Sequence, residues 1–297
     1  MNDDFKMLNQ IALRALEQNK IYQAQSLFRE NAKKNPGYLT FNNLGVFYVF
    51  EGLFNQNDLI IRRGVRLGIN YLKKAQVYKK TFFTFLALGH AFFKIEDYDG
   101  AIESFEQAYM LRSDYESAYN LANSFYRKGV YKEAVKWFKR SVSLCNSSEY
   151  AMTYSAFLFS LLMVNKDKCH EKIINLLEDK TSYFEYDKFI IAYLCGDMEM
   201  AEKQIKPMFE KFDLGIDVIA MAIDCLFILN KHEQAKKYLE YELENCEYYT
   251  QFEIKKIKKV FSHEDYRKKI ISSFVHIIPV VDIQCCYFGC KLHSNPD

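Results

Sequence analysis

The sequence predicts an all-α solenoid of about seven antiparallel helix pairs, closed by a short tail of different character. Three observations carry that prediction. First, Leu88, Gly89, Phe92, Ala101, Phe105 and Ala108 recur thirty-three residues later as Leu121, Ala122, Phe125, Ala134, Phe138 and Ser141. A fixed period of that size marks stacked supersecondary units, each too small to bury its apolar face alone. Second, a small residue is followed four positions later by a large apolar one along most of the chain. The pairs are Ala24 and Phe28, Gly68 and Leu72, Ala101 and Phe105, Ala134 and Phe138, Ala201 and Ile205, and Ala235 and Leu239. The small residues stand 44, 33, 33, 67 and 34 positions apart, so the 67 holds two periods and the 44 holds one period plus eleven residues. Third, 49% of the 297 residues are hydrophobic while only four are proline and eleven glycine, a composition for long helices joined by tight turns.

In chain order, the first unit runs from Phe5 to Gly37. The second keeps Asn43-Leu44-Gly45 and Tyr48, then carries the eleven extra residues before Gly68. Eleven residues are almost three whole helical turns, so lengthened helices keep their buried faces aligned. We expect a protruding, helix-extended insertion over about 51–67, with a helix start at Asn57-Asp58 and with Arg62, Arg63 and Arg66 on a solvated face or, alternatively, at a partner contact. The third unit, Phe82 to Tyr115, is the clearest. Phe85, Leu88, Gly89 and Phe92 share one helical face, Asp97-Tyr98-Asp99-Gly100 interrupts it, and Ala101, Phe105 and Ala108 resume it. The aspartates there are capping residues for the second helix. Tyr115 to Asn146 is the fourth unit, a degenerate one surrounds Asp167, and Lys180 to Lys211 and Gly215 to Asn245 follow. Capping helices over about 249–277 end the array as Thr250–Phe261 and Ser262–Ile277, with Ser262 as an N-cap. The predicted division is therefore a helical array over 1–277 and a cysteine-containing tail over 278–297.

The net charge of +2 implies no global attraction to nucleic acid or membrane. The N-terminus lacks the basic and apolar regions of a secretory signal, no apolar run is long enough to span a bilayer, and five scattered cysteines read as small hydrophobes. Cytoplasmic location is the expectation. The sequence has no glycine-rich phosphate loop, GxSxG elbow or HExxH helix, so neither catalysis nor a cofactor is expected. Cys285, Cys286, Cys290 and His293 offer soft ligands within nine residues, but they lack the paired CxxC of zinc fingers and ribbons, and no metal is expected. Disulfide formation, lipid attachment and enzymatic modification of these cysteines stay open. Lys255, Lys256, Lys258, Lys259, Arg267, Lys268 and Lys269 read as a solvated terminal cap, because no aromatic stacking platform accompanies them.

The aromatic, Leu-Gly, aromatic, Ala, Phe, Ala order of Phe82 to Tyr115 resembles the tetratricopeptide repeat, with Ser113 where that family usually has proline. Leu121, Phe125, Ala134 and Phe138, and Ala24, Phe28 and Pro36, extend the resemblance, which covers roughly residues 5–245. It implies a right-handed superhelix whose first helices line a concave groove. Carried over, that geometry places Asn42, Val46 and Val49, then Phe83, His90, Phe93 and Lys94, then Tyr119, Asn123, Tyr126 and Arg127 in the groove. Aromatic rings beside amide and basic groups suit a protein or peptide ligand. Asn43 and Asn123 match the amides of the family's carboxylate clamp. Its lysines are missing, with Asn9 and Tyr119 at their places and Phe83 and Ala87 replacing the next basic pair. The resemblance implies a protein- or peptide-binding scaffold. The alternatives are a regulatory peptide sensor without its own DNA-binding domain, or a carrier for a cysteine tail that binds metal or is modified.

Overall fold

The computed structural model describes residues 3–50, 58–177, 185–245, 249–281 and 285–290. These form sixteen α-helices and no strand. The helices are α1 (Asp3–Glu17), α2 (Ile21–Lys34), α3 (Tyr38–Phe50), α4 (Asp58–Tyr78), α5 (Phe82–Lys94), α6 (Tyr98–Leu111), α7 (Tyr115–Arg127) and α8 (Tyr131–Val142). They continue as α9 (Ser147–Val164), α10 (Lys166–Leu177), α11 (Glu185–Cys195), α12 (Met198–Lys211), α13 (Ile216–Ile228), α14 (His232–Asn245), α15 (Gln251–Ser262) and α16 (Glu264–Ser272). Consecutive helices pair, which makes eight pairs among the described residues where about seven were expected. The fold is the all-α solenoid of tetratricopeptide type. No helix of the described residues is long and apolar enough to cross a membrane.

The chain divides into two compact units. One comprises Met1–Cys145 together with Pro279–Asp297, and the other Asn146–Ile278. The tail is thus part of the first unit, although it follows the second in sequence.

The repeat is written in the backbone as well as in the side chains. Asn19, Glu96, Gly129, Gly196 and Asn230 have positive φ angles of 56°, 64°, 81°, 85° and 59°. Each stands five residues before the small residue of its unit: Ala24, Ala101, Ala134, Ala201 and Ala235. At Gly129 the turn closes by Gly129 N–H donating to the Tyr126 carbonyl at 2.9 Å and Val130 N–H to the Phe125 carbonyl at 2.9 Å. This left-handed residue satisfies carbonyls that the first helix leaves orphaned and turns the chain into the second helix. Asp97 then accepts a backbone N–H at the start of α6, the capping role expected of its turn, while Asp99 lies inside the helix; Asp197 caps α12 and Asp114 caps α7 in the same way.

Behind the turns, the small residues and their large partners are buried. Phe28, Phe105 and Phe138 are at most 1% exposed, and Leu72 and Ile205 are fully enclosed. α3 and α4 approach each other through their backbones. A Cβ on Gly68 would lie 2.9 Å from the Gly45 carbonyl oxygen and 2.7 Å from Val49 Cγ2. Two helices therefore meet backbone to backbone, which only glycine at this crossing permits.

The described part of the insertion's helix is anchored through Arg62, while Leu59 and Ile60 are exposed. Residues 51–57 lie outside the described residues, but α4 buries Gly64 and Val65 ahead of Gly68, Ile69 and Leu72. Arg62 Nη1 donates to the Ile95 carbonyl at 3.2 Å, and Arg62 Nη2 lies 3.3 Å from Glu96. The extension thus braces the left-handed turn between α5 and α6.

In the second unit, Thr250 caps α15 in a capping box with Glu253. Ser262 is not an N-cap: it is the last residue of α15, its hydroxyl donates to the Lys258 carbonyl at 3.0 Å, and His263 holds the N-cap position of α16. Arg267 also leaves the surface patch. It is 3% exposed, bonded to Asp224 at 3.0 Å and to the Val260 carbonyl at 3.1 Å, while the Tyr193 hydroxyl donates to the other Asp224 oxygen at 2.8 Å. Burial beside Asp224 pushes the Tyr193 phenol up. Here a basic residue pins α16 to α13 instead of facing solvent.

Two stability experiments follow from this packing. Gly68→Ala is expected to cost about 1–3 kcal/mol in urea unfolding, because backbone at the α3–α4 crossing cannot yield as a flexible side chain does. Arg267→Ala is expected to cost about 1.5–3 kcal/mol, the scale of a hydrogen bond to a charged group, by leaving the partly buried Asp224 carboxylate with the Tyr193 hydroxyl alone. The reference substitution Thr250→Ala removes a cap and costs about 1 kcal/mol. Equal losses for Arg267→Ala and Thr250→Ala contradict the buried-pair assignment.

Candidate functional site

Five asparagines of α1, α3 and α7 line one groove in the first unit, and all are buried: Asn9 at 6% exposure, and Asn42, Asn43, Asn120 and Asn123 at 0%. A buried carboxamide must find partners for both its oxygen and its nitrogen. Here those partners are main-chain atoms of the tail. Asn120 Nδ2 donates to the Val281 carbonyl at 2.6 Å, and Val281 N–H donates back to Asn120 Oδ1 at 2.9 Å. Asn43 treats Phe288 in the same way, Nδ2 donating to its carbonyl at 3.0 Å and Oδ1 accepting its N–H at 2.9 Å. Asn9 adds a second donor to the Phe288 carbonyl at 3.1 Å, and its own oxygen accepts from Asn43 at 2.7 Å. Asn42 donates to the Cys286 carbonyl at 2.9 Å, oriented by the Thr84 hydroxyl, which donates to its oxygen at 2.9 Å. Asn123 donates to the Pro279 carbonyl at 3.0 Å.

An asparagine that bonds both N–H and C=O of one residue reads peptide backbone without regard to the side chain it carries. Selectivity has to come from the pockets on either side. The Tyr287 ring stacks on Phe28 at 5.8 Å and 12°, and belongs to the main core of the unit with Cys286 and Cys290. The Phe288 ring points into a separate cluster, edge-on to Tyr38 at 5.5 Å and to Phe83 at 5.9 Å, with Phe5 and Leu39.

The groove residues expected from sequence divide into three groups. Asn42, Asn123 and Phe83 touch the tail directly. Val46, His90 and Tyr119 are buried within the wall, at 1%, 2% and 0% exposure. His90 bonds to Glu116 at 2.9 Å between the rings of Phe50 and Phe105. The Tyr119 ring lies edge-on to Phe138 of α8 at 5.3 Å.

The third group lies toward the ends of the first helices. Lys94 donates to the Val49 carbonyl at 2.8 Å and covers the Phe50 ring. Phe93 packs on Tyr98 at 5.5 Å, with the Arg127 guanidinium over both rings. Tyr126 packs on Tyr131, and burial pushes its phenol up to about 12.

Asn43, Asn120 and Asn9 are the groove residues that the expected lining omits. A signal for Asn120 was available. Asn43-Leu44-Gly45 and Asn120-Leu121-Ala122 are the same repeat position in units two and four, with an asparagine just before the Leu-small pair in each. Among the described residues no three His, Cys, Asp or Glu side chains are grouped to hold an ion. Cys286 and Cys290 are 3% and 8% exposed within the groove, and His293 lies outside the described residues.

Comparison with known proteins agrees with this architecture. Residues 86–149 match the tetratricopeptide repeat family, and no curated protein matches the chain. Among solved structures, the chain is similar to a tetratricopeptide repeat protein from Parabacteroides merdae ATCC 43184, with a TM-score of 0.60 and 12% identity over 88% of this chain and 99% of that one. It is also similar to PilF of Pseudomonas aeruginosa (TM-score 0.50, 12% identity, 86% of this chain and 97% of that one). A third similar structure is PilW, described as a widely conserved type IV pilus biogenesis factor (TM-score 0.51, 13% identity, 87% and 100%). At such identities the likeness is one of fold. Residues 86–149 thus carry tetratricopeptide repeats, and the fold of the chain is the one seen in tetratricopeptide repeat proteins.

Proposed function

We propose that the chain is a protein-interaction scaffold whose first unit holds an extended peptide segment in its concave groove. The observation that carries this reading is the double clamp of Asn43 on Phe288 and Asn120 on Val281. Two carboxamides set for backbone, with ring-lined pockets beside them, are the equipment for holding an extended peptide: main-chain bonds give affinity and pockets give choice. Asn9, Asn42, Asn123 and Phe83 complete the contact surface. Lys94, Tyr126 and Arg127 extend it toward the helix ends, and Val46, His90, Phe93 and Tyr119 hold the wall in place. The uncharged amides also explain why the lysines of a carboxylate clamp are unnecessary here: the held group is an internal peptide unit, not a chain end.

The test uses a fluorescent peptide with the sequence of residues 279–290, serine replacing its cysteines, added to the full-length chain carrying Phe288→Ala to loosen its own tail. Saturable binding is expected. Adding Asn43→Ala and Asn120→Ala to that chain is expected to weaken binding by roughly 30-fold or more, since each lost buried amide clamp costs about 1–3 kcal/mol, with helical circular dichroism unchanged. Undiminished binding by the asparagine variant removes the groove as the binding site.

A further inference from the structure

Resting on that groove reading, we infer that the groove selects a segment in which two adjacent aromatic residues precede a glycine, and that the chain's own Tyr287-Phe288-Gly289 is the competitor such a partner displaces. Register comes first. Phe288 is the one residue of the described tail held at its carbonyl by two asparagines and at its N–H by one of them. Whatever occupies this position is fixed along the groove by backbone alone. With the register set, the two aromatic side chains have separate destinations, position 287 on the face of Phe28 and position 288 between Tyr38 and Phe83. Both rings are nearly withdrawn from solvent, at 7% and 3% exposure. Burying two such rings supplies a few kcal/mol, enough to discriminate against small or charged side chains.

The next residue is restricted more sharply. Gly289 has φ +75°, and a Cβ built there would lie 3.0 Å from Asn9 Nδ2. That nitrogen is the one donating to the Phe288 carbonyl. An L side chain at this position is therefore disfavoured twice, by its own backbone conformation and by crowding the amide that sets the register. After the turn, Cys290 re-enters the main core at 8% exposure. The motif is thus aromatic, aromatic, glycine, small apolar. Because the tail is covalently attached, it competes at an effective concentration of order millimolar. A partner has to match the motif or offer further contacts to replace it, and release of the tail then accompanies capture.

The same fluorescent peptide separates this inference from the groove reading. Three peptides carry glycine, L-alanine or D-alanine at the position of Gly289. They are titrated into full-length chains that are wild type, Phe288→Ala or the milder Gly289→Ala. The glycine peptide is expected to bind Phe288→Ala at least tenfold more tightly than it binds wild type, with Gly289→Ala between them. The D-alanine peptide, which favours positive φ and directs its methyl away from Asn9, is expected to stay within about threefold of glycine. The L-alanine peptide is expected to lose tenfold or more. Equal binding of the glycine and L-alanine peptides overturns the selectivity, and equal affinity of wild-type and Phe288→Ala chains overturns the competition. In both cases the groove stands. Absence of binding to all three chains, with their helicity intact, overturns the groove and the inference together.

Discussion

In the first unit, Asn43 and Asn120 occupy the same repeat position, and each bonds the N–H and the carbonyl of a single residue in the tail. The arrangement of the groove follows from the cost of burying an amide. Stripped of partners, a buried carboxamide costs on the order of 1–3 kcal/mol, and five of them line the groove. They have to be satisfied by peptide backbone or by water. A chain segment that supplies matched N–H and C=O groups while bringing two aromatic rings is favoured on both counts. The tail does so, and this is why residues following the second unit in sequence pack with the first.

The scaffold that presents these amides was legible because its determinants are local and periodic. Ala101 and Phe105 lie one turn apart on one helix, and the same pair recurs at Ala134 and Phe138, so the repeat is a property of short windows. The turns obey the same rule. Five residues before each of five small positions the backbone is left-handed, whether the residue is Gly129 and Gly196 or Asn19, Glu96 and Asn230. The glutamate is the least expected, and the bracing of that turn by Arg62 of α4 gives it local support that sequence spacing alone does not reveal.

The site was legible only in part, and the failures have physical causes. Asn42, Phe83 and Asn123 were placed by carrying a groove geometry onto the sequence, and they do meet the tail. Asn120 was left out, although it stands beside Tyr119 and holds Val281 by both backbone groups. The tail was recognised as a separate segment, but its place in the groove was not, because it has no helical period and its bonds span up to 279 residues, as from Asn9 to Phe288. Nothing in Cys285-Cys286-Tyr287-Phe288-Gly289-Cys290 announces a groove ligand until the asparagines opposite are known, and its cysteines drew attention toward metal and redox chemistry instead. Arg267 carries the same lesson in the second unit, where a residue that reads as part of a basic surface is enclosed by Asp224 and two carbonyls.

The most direct measurement of the central claim is amide hydrogen exchange at Phe288 and Val281 in the full-length protein, followed by NMR. If Asn43 and Asn120 hold these residues in the groove, both amides exchange far more slowly than in the isolated peptide. Asn43→Ala then releases Phe288 and Asn120→Ala releases Val281, while amides inside α5 and α7 keep their protection. Exchange of both amides at the free-peptide rate in the unaltered chain contradicts the account, because the tail would then not be bound where its backbone is read.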